Sequence, residues 1–280
     1  MAPRILSRPD KNKPHILFRP DKDTEEEYEV AEQYLSISSS RVEIPRGSSV
    51  LCRYSCLPFY EELERDLALL NCCLLQTYSQ HSYVAGFDYY HDVLEFTPRT
   101  WFRLHEAKEH GGPYVLKGRT NSRKHQWREK MFAQTFEEAV AVHIELANDP
   151  FIGPQGIIVR EYVPLRTFGV GLQGLPQTNE WRVFCWGTQV LCYGYYWSGA
   201  PEEFSLLGRE SFLKGGLELV SKVAERVSER VTFFVLDVAE KQDGGWTLIE
   251  MNDGQMSGLS ECSAEALYQG LGRVLKEQQG

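Results

Sequence analysis

Two apolar runs in residues 233–260, FFVLDVAEKQDGGWTLIEMNDGQMSGLS, are joined by a short polar connection that contains two consecutive glycines. This pattern is typical of a β-hairpin with a glycine turn. Because side chains alternate between the two faces of a strand, Glu250 and Asn252 face the same way, and Asp237 in the other arm can face them across the ladder. The predicted hairpin therefore brings three oxygen-bearing side chains to one surface.

Three such groups on an otherwise apolar hairpin are costly to bury without a partner. Carboxylate and amide oxygens suit magnesium, which usually keeps coordination positions open for phosphate oxygens. We therefore identify Asp237, Glu250 and Asn252 as candidate magnesium ligands. The alternative is an ordinary hairpin with its polar side chains in solvent, and the hairpin alone does not separate the two.

The composition is that of a globular protein with a sizeable core, since 42% of the 280 residues are hydrophobic and 25% are charged. The net charge of −9 argues against a nucleic-acid partner. No apolar run reaches membrane-spanning length and the N-terminus lacks the apolar core of a signal peptide, so we expect a cytoplasmic protein without a membrane partner. The seven cysteines lack metal-type spacing and are expected to be reduced.

Strands and helices alternate in the first hundred residues. Strands are predicted at residues 15–19, 49–54 and 72–77, with helices at residues 25–35 and after Pro58. This order predicts a parallel α/β layer of Rossmann-like type over residues 15–96, preceded by a flexible N-terminus at residues 1–14. The chain has no G-x-G-x-x-G, so a dinucleotide site is not indicated.

The middle of the chain combines a strand-end lysine with a basic loop. Residues 87–101 are predicted to form a helix that ends at a Thr-Pro junction. Lys117 ends the apolar run PYVLKG, where it can meet phosphate oxygens as a point charge. The basic residues 118–133 fit a mobile loop that closes over a polyphosphate, although an ordinary solvated loop has the same composition.

The strand predicted at residues 156–165 ends in a proline-limited hinge. Backbone groups of such a hinge can bind an adenine edge while Glu161 binds the ribose hydroxyls. Arg182, in the next strand EWRVF, can reach the same cleft as Lys117. An ion pair between Glu180 and Arg182 is the structural alternative.

Other polar residues are candidates for binding an anionic substrate. Arg53 ends the second predicted strand, where ligands collect in open α/β sheets, but it can equally pair with a helix carboxylate such as Glu61. Arg160, Arg166 and Ser257 are weaker candidates of the same kind.

The order of these elements resembles the ATP-grasp superfamily, and within it the clade named for an arginine and two lysines. The resemblance covers most of residues 50–260. It rests on the stretches RYSCLPFYEELERDL, FTPRTWF, GGPYVLKGRTNSRKHQW, IIVREYVPL, LPQTNEWRVF, GYYW and IEMNDGQMSGL.

The resemblance implies a mixed α/β (α+β) ATP-grasp fold with an N-terminal Rossmann-like pre-ATP-grasp domain. A nucleotide would be held between two α+β subdomains, an ATP-grasp lid at residues 97–165 and a C-terminal subdomain with the metal-binding hairpin at residues 166–280.

Matched residue by residue, the resemblance implies ATP and Mg²⁺ as cofactors. Lys117 and Arg182 are the implied catalytic residues, and Asp237, Glu250 and Asn252 match the magnesium ligands, with Asp237 in place of a more usual glutamate. The loop departs from the pattern because it lacks the usual glycine-rich segment. The implied nucleotide contacts are Arg99, Lys117, Arg119, Lys124, Glu161, Tyr162, Val163 and Arg182.

The implied activity is an ATP-dependent carboxylate–amine ligase that forms an amide or peptide bond through an acyl phosphate and releases ADP and phosphate. Its partners would be a small-molecule or peptide carboxylate and an amine. Two alternatives stay open: a phosphotransferase on the same fold, and a nucleotide-binding assembly factor without turnover.

Overall fold

A computed structural model describes residues 14–277, and it begins with a four-stranded parallel sheet in the order β2-β1-β3-β4. Its elements are β1 (His15–Phe18), α1 (Glu25–Tyr34), β2 (Ser36–Ser38), β3 (Ser49–Arg53), α2 (Tyr60–Leu69), β4 (Cys73–Leu74) and α3 (Tyr78–Ala85). The parallel α/β arrangement predicted from the alternating pattern is confirmed, and β2 is an additional strand. The predicted flexible segment lies outside the described residues except for Pro14.

The middle of the chain forms an antiparallel sheet in the order β5-β8-β6-β7. Helix α5 covers it through Ala139, Val142 and Leu146, which recur at helical spacing. The elements are β5 (Thr100–Trp101), β6 (Tyr114–Gly118), α4 (Trp127–Lys130), β7 (Phe132–Ala133), α5 (Phe136–Asn148) and β8 (Ile157–Glu161).

The helix predicted at residues 87–101 is wrong. The structure has a short 3₁₀ turn, Asp88–Asp92, and the strand β5 there, and the turn follows Phe87 in the left-handed region at φ 68°. Phe87, Tyr89 and Tyr90 are all buried, and the Phe87 ring contacts both tyrosine rings. A regular surface helix would bury only one of its faces, whereas here neighbouring aromatic residues are all buried.

The C-terminal part contains a second antiparallel sheet in the order β12-β11-β13-β14, with a separate two-stranded ladder of β9 and β10. The elements are β9 (Thr167–Val170), β10 (Pro176–Thr178), β11 (Glu180–Trp186), β12 (Gln189–Tyr195), α6 (Glu202–Ser211), α7 (Leu217–Val227), β13 (Phe233–Glu240), β14 (Trp246–Asp253) and α8 (Ala264–Glu277). Strands β13 and β14 form the predicted hairpin, and Gly244 supplies its turn with φ 88°.

The two faces of this sheet bury different partners. One face packs Trp181 against Phe212, in the π turn between α6 and α7, with ring centres 4.4 Å apart. The other face buries Phe184 and Val235 against α1 and α8. Since Glu180 and Arg182 alternate with Trp181 along β11, they share the second face with Phe184, and this face continues into the functional cleft.

Within residues 14–277, no helix combines the length and apolar character needed to cross a membrane. The seven cysteines are free thiols.

Candidate functional site

A cleft separates the β5-β8-β6-β7 sheet from the β12-β11-β13-β14 sheet. Seven of the predicted site residues line it: Lys117, Lys124, Arg160, Glu161, Tyr162, Val163 and Glu250. The remainder of the wall is largely apolar and is formed by Pro98, Val115, Trp127, Met131, Leu165, Leu175, Pro176, Trp197 and Ile249, together with Ser122, Thr167, Thr178 and Glu180. The cleft therefore combines an apolar body with a few charged groups, as ligand sites do.

Lys117 and Glu250 meet across the cleft. The Lys117 ammonium donates a hydrogen bond to the Glu250 carboxylate, and the residues are only 6% and 8% exposed. Burial alone would raise the pKa of Glu250, but Lys117 and Lys124 outweigh it and hold that pKa below its ordinary value. The strand-end lysine of one sheet thus contacts a candidate metal ligand of the other.

Arg182, Asp237 and Glu250 form one row across three strands. Arg182 is the register partner of Asp237, and Asp237 is the partner of Glu250. The guanidinium donates from Nε and Nη2 to the two Asp237 oxygens, both at 2.8 Å, and its Nη1 donates to the Gly258 carbonyl, also at 2.8 Å. The alternative pair of Arg182 with Glu180 is not formed.

The three candidate magnesium ligands are adjacent. Asn252 donates from its side-chain amide to Asp237 at 3.2 Å, and Glu250 is in register with Asp237. Two carboxylates and an amide are a donor set of hard oxygens, which fits magnesium. Both carboxylates also have protein cations as partners, so the same oxygens that suit a metal hold Lys117 and Arg182.

Glu180 is a site residue whose role in the cleft the sequence pattern did not reveal. It is 3% exposed, its Oε2 accepts from the Thr178 hydroxyl at 3.2 Å, and its Oε1 has no hydrogen-bond partner among the residues that the structure describes. Burial raises the pKa of Glu180 to about 7, with Lys124 opposing and Asp237 adding to the rise. A buried carboxyl oxygen without a partner in a cleft wall is suited to a ligand that donates a hydrogen bond.

Lys124 connects the basic loop to the C-terminal sheet through Tyr196. Its ammonium donates to the Tyr196 hydroxyl and lies 4.1 Å from the centre of that ring. The Arg182 guanidinium lies 5.0 Å from the same ring. Burial alone would lower the pKa of Lys124, but acidic groups, Glu180 foremost, outweigh it and raise that pKa. The loop is therefore held over the cleft by a cation–aromatic contact.

The hinge at the end of β8 presents side chains and one pair of backbone groups to the cleft. The N–H of Glu161 donates to the Arg99 carbonyl at 2.9 Å, and that of Tyr162 to the Pro113 carbonyl at 3.1 Å. Across the part of the chain that the structure describes, Val163 makes no backbone hydrogen bond. Its N–H and C=O are thus available to a ligand in the cleft.

Arg53 lies away from this cleft. It is 5% exposed, and it pairs with Glu27 of α1 through bonds of 2.7 and 3.3 Å rather than with Glu61, which pairs with Arg65. It also donates to the carbonyls of residues 254 and 255, at 3.0 and 3.2 Å. Arg53 therefore forms a structural ion pair, but with Glu27 and not with the expected Glu61.

Arg160 ties the two sheets together at the cleft wall. Its guanidinium donates to the Ile249 carbonyl of β14, to the Thr97 hydroxyl at 2.6 Å and to the Thr100 hydroxyl at 3.1 Å. Since every guanidinium nitrogen is engaged, we interpret Arg160 as a structural bridge.

The other predicted contacts lie outside the cleft wall, as do Arg182, Asp237 and Asn252. Arg99 is exposed and lies over the Trp101 ring, while Arg119 donates to the Gly86 carbonyl at 3.2 Å. Arg166 pairs with Glu240 at 2.9 Å. Ser257 is buried and donates to the Asp253 carbonyl at 2.7 Å, where it closes the turn after the hairpin.

The chain belongs to the ATP-grasp family. The family model that matches it describes an ATP-grasp domain, family 3 of the clade named for an arginine and two lysines, and the match covers residues 106–271. No curated protein sequence matches the chain.

Three solved structures resemble the chain in fold. One is the L-amino acid ligase from Bacillus licheniformis, with a TM-score of 0.56 and 12% identity over 88% of this chain and 68% of that one. Another is the ATP-grasp ligase PsnB complexed with minimal precursor, Mg and ADP, with a TM-score of 0.54 and 8% identity over 96% and 99% of the two chains. The third is a RimK domain protein ATP-grasp from Sphaerobacter thermophilus DSM 20745, with a TM-score of 0.51 and 14% identity over 91% and 98%. At these identities the likeness shows the fold, in agreement with the family match.

Proposed function

We propose that this protein is an ATP- and magnesium-dependent ligase that joins a carboxylate to an amine through an acyl phosphate. The observation that carries the proposal is the contact of Lys117 with Glu250, where a phosphate-type cation of one sheet meets a candidate metal ligand of the other. The similarity to PsnB, solved with Mg and ADP, and to an L-amino acid ligase supports it.

The cleft wall combines apolar side chains with the charged groups around the Lys117–Glu250 contact, which suggests how the nucleotide lies. We propose that the adenine binds between apolar side chains such as Met131 and Leu165, with its edge on the free backbone groups of Val163. The ribose hydroxyls would then donate to Glu161 and to the unpaired Oε1 of Glu180. The phosphates would extend towards the Lys117–Glu250 contact.

Around this contact, residues of this chain would hold and neutralise phosphate oxygens. Lys117 and Lys124 would bind them as point charges, and Arg182 would stabilise charge that develops on the transferred group. Asp237, Glu250 and Asn252 would hold magnesium, which neutralises phosphate charge during transfer. Closure of the basic loop through Lys124 and Tyr196 would keep water away from the intermediate.

In the proposed reaction, a carboxylate oxygen attacks the γ-phosphorus and the bond from that phosphorus to the β–γ bridging oxygen breaks, so ADP leaves. The amine nitrogen then attacks the carbonyl carbon of the acyl phosphate. The carbon–oxygen bond to phosphate breaks, phosphate leaves, and the nitrogen releases its proton. No side chain of the protein needs to form a covalent bond.

We propose three structural units after residues 1–14: a pre-ATP-grasp unit at residues 15–96, a lid at residues 97–165 and a C-terminal unit at residues 166–280. The free thiols support a reducing compartment, and we place the reaction in the cytoplasm.

The test is to incubate the protein with ATP and pairs of amino acids or short peptides, one as the acid and one as the amine, and to measure the products formed from ATP. A ligase releases ADP and free phosphate in equal amounts, and an acid labelled with ¹⁸O in its carboxylate transfers one ¹⁸O to that phosphate. Phosphate retained on a product would instead indicate a phosphotransferase. Binding without turnover across the panels would contradict the ligase assignment.

A further inference from the structure

A second groove lies beside the nucleotide cleft, and Trp197 lines both. Its floor is formed by aromatic side chains of the sheet, including Trp181 and Tyr193. One side is the first two turns of α6, and the other side is the segment around Glu261. The groove plays no part in the nucleotide scheme above, yet a ligand in it would lie next to the nucleotide cleft.

Three charged side chains line this groove without partners. Glu202, Arg209 and Glu261 form no ion pair and no side-chain hydrogen bond with any residue between 14 and 277. The groove thus offers two negative charges and one positive charge over aromatic rings. Such a mixture fits a ligand that carries both an ammonium and a carboxylate.

The helix sets the spacing of the opposite charges. Glu202 and Arg209 are seven residues apart in α6 and both line the groove, so they lie on one helix face about two turns, or roughly 10 Å, apart. Glu202 lies at the N-terminal end of α6, five residues after Trp197, which lines both the groove and the nucleotide cleft. The negative end of the α6 face is therefore the end that follows Trp197 along the chain.

The side of the groove that holds Glu261 is preformed. The N–H of Glu261 donates to the Tyr195 carbonyl at 3.1 Å, so the segment is tied to strand β12. A Cβ at Gly194 would lie 2.2 Å from the Glu261 carbonyl carbon, which shows how closely the backbone approaches there. The Glu261 backbone is thereby held against strand β12.

We propose that this groove binds a short peptide of about three residues, which, resting on the proposed ligase function, would be the amine substrate. An extended chain spans roughly 3.3–3.6 Å per residue, so about three residues bridge the separation of Glu202 and Arg209. The N-terminal ammonium lies between Glu202 and Glu261 at the Trp197 end, and the carboxylate lies on Arg209. Leu206, which is 63% exposed, provides an apolar contact between them.

The first measurement is isothermal titration of the whole protein with tri-alanine, with and without ATP and magnesium. N-acetyl-tri-alanine lacks the ammonium and tri-alanine amide lacks the carboxylate, so each tests one end. We expect tri-alanine to bind and each blocked peptide to bind on the order of tenfold more weakly. No binding of tri-alanine under either condition would overturn the proposal.

The second measurement uses charge variants with a matched control. Glu202→Gln should weaken tri-alanine binding on the order of tenfold but should not weaken binding of the acetylated peptide further. Arg209→Gln should likewise weaken tri-alanine binding but should not weaken binding of tri-alanine amide further. Glu203→Gln is the control, because Glu203 is the exposed neighbour and does not line the groove. An equal loss in the control, or no loss in either variant, would contradict the proposal.

Peptide binding in the groove and ATP binding in the cleft can be measured independently of each other. Glu202→Gln should leave ATP binding unchanged, and loss of ATP binding through changes at the nucleotide site should leave tri-alanine binding without nucleotide unchanged. If the protein binds tri-alanine but never binds ATP, the groove is a peptide site and the ligase function is contradicted.

Discussion

Arg182 and Asp237 lie opposite each other on β11 and β13 and share two hydrogen bonds of 2.8 Å. The Asp237 side chain is fully buried and the Arg182 side chain is 12% exposed. A candidate metal ligand is therefore also the partner of a buried cation. We therefore expect substitutions at this pair to affect folding as well as any metal binding.

Asp237→Ala should lower the free energy of unfolding by about 3–5 kcal/mol, because Arg182 would remain buried without its carboxylate partner. Urea unfolding monitored by circular dichroism measures this directly. Glu218→Gln is the control, since Glu218 pairs with Lys222 on an exposed helix face, where loss of an ion pair has little effect on stability. Equal effects of the two substitutions would contradict the described burial of the Arg182–Asp237 pair.

The Lys117–Glu250 pair should show strong non-additivity. Lys117→Met leaves the Glu250 carboxylate buried without its cation, and Glu250→Gln leaves Lys117 without its anion, so each single change should destabilise by about 3–5 kcal/mol. The double variant leaves neither charge unpaired and should be more stable than the sum of the singles predicts. A double-mutant cycle in urea tests this, and simple additivity would show that the contact does not exist.

Stability should depend on the ionisation of Glu180. The folded pKa of about 7 is above the ordinary value of 4.5, so between these values the folded protein holds a proton that the unfolded chain releases. The free energy of unfolding should therefore fall as pH rises from 4.5 to 7 and level off above, by roughly 3 kcal/mol for this group.

Glu180→Gln keeps a neutral side chain at every pH and should remove this part of the decline. The measurement is urea unfolding of both proteins at several pH values between about 4 and 8, which bracket the two pKa values. Parallel curves for wild type and variant would show that Glu180 does not titrate in this window.

Arg53 and Glu27 should contribute to folding and not to substrate affinity. Arg53→Met leaves the Glu27 carboxylate buried and should destabilise by about 3–5 kcal/mol, while the added Glu27→Gln should recover part of that loss. Titration calorimetry with ATP should give unchanged affinity for the folded double variant. A large loss of affinity at preserved stability would instead favour the anion-binding interpretation of Arg53.

The hairpin and its acidic residues can be predicted from the sequence because they depend on local pattern. Alternation fixes which side chains share a face, and a glycine pair marks the turn, so Asp237 and Glu250 are expected to face each other, as they do. The strand-end position of Lys117 likewise indicates that it lies in the cleft. Local rules are sufficient for such features.

The remaining contacts depend on packing between distant segments. Arg53 pairs with Glu27 because α1 packs beside β3, and Tyr196 meets Lys124 because the basic loop folds over β12, contacts with no local signal. Glu180 alternates with Arg182 in the sequence, but its burial and unpaired oxygen follow only from the assembled cleft. Contacts between segments that are distant in the sequence therefore cannot be predicted from local sequence pattern.

Calorimetric titration of ATP tests most directly whether the cleft between the two sheets binds ATP with magnesium. The wild type and the variant Lys117→Met with Glu250→Gln are compared, with and without magnesium. The matched control is Lys222→Met with Glu218→Gln, the same chemical change in an exposed pair.

We predict magnesium-dependent binding in the wild type and the control, and a loss of at least about 100-fold in the cleft variant, because a phosphate cation and a metal ligand are both removed. Equal affinity in all three proteins, or no binding to the wild type, would contradict the nucleotide site.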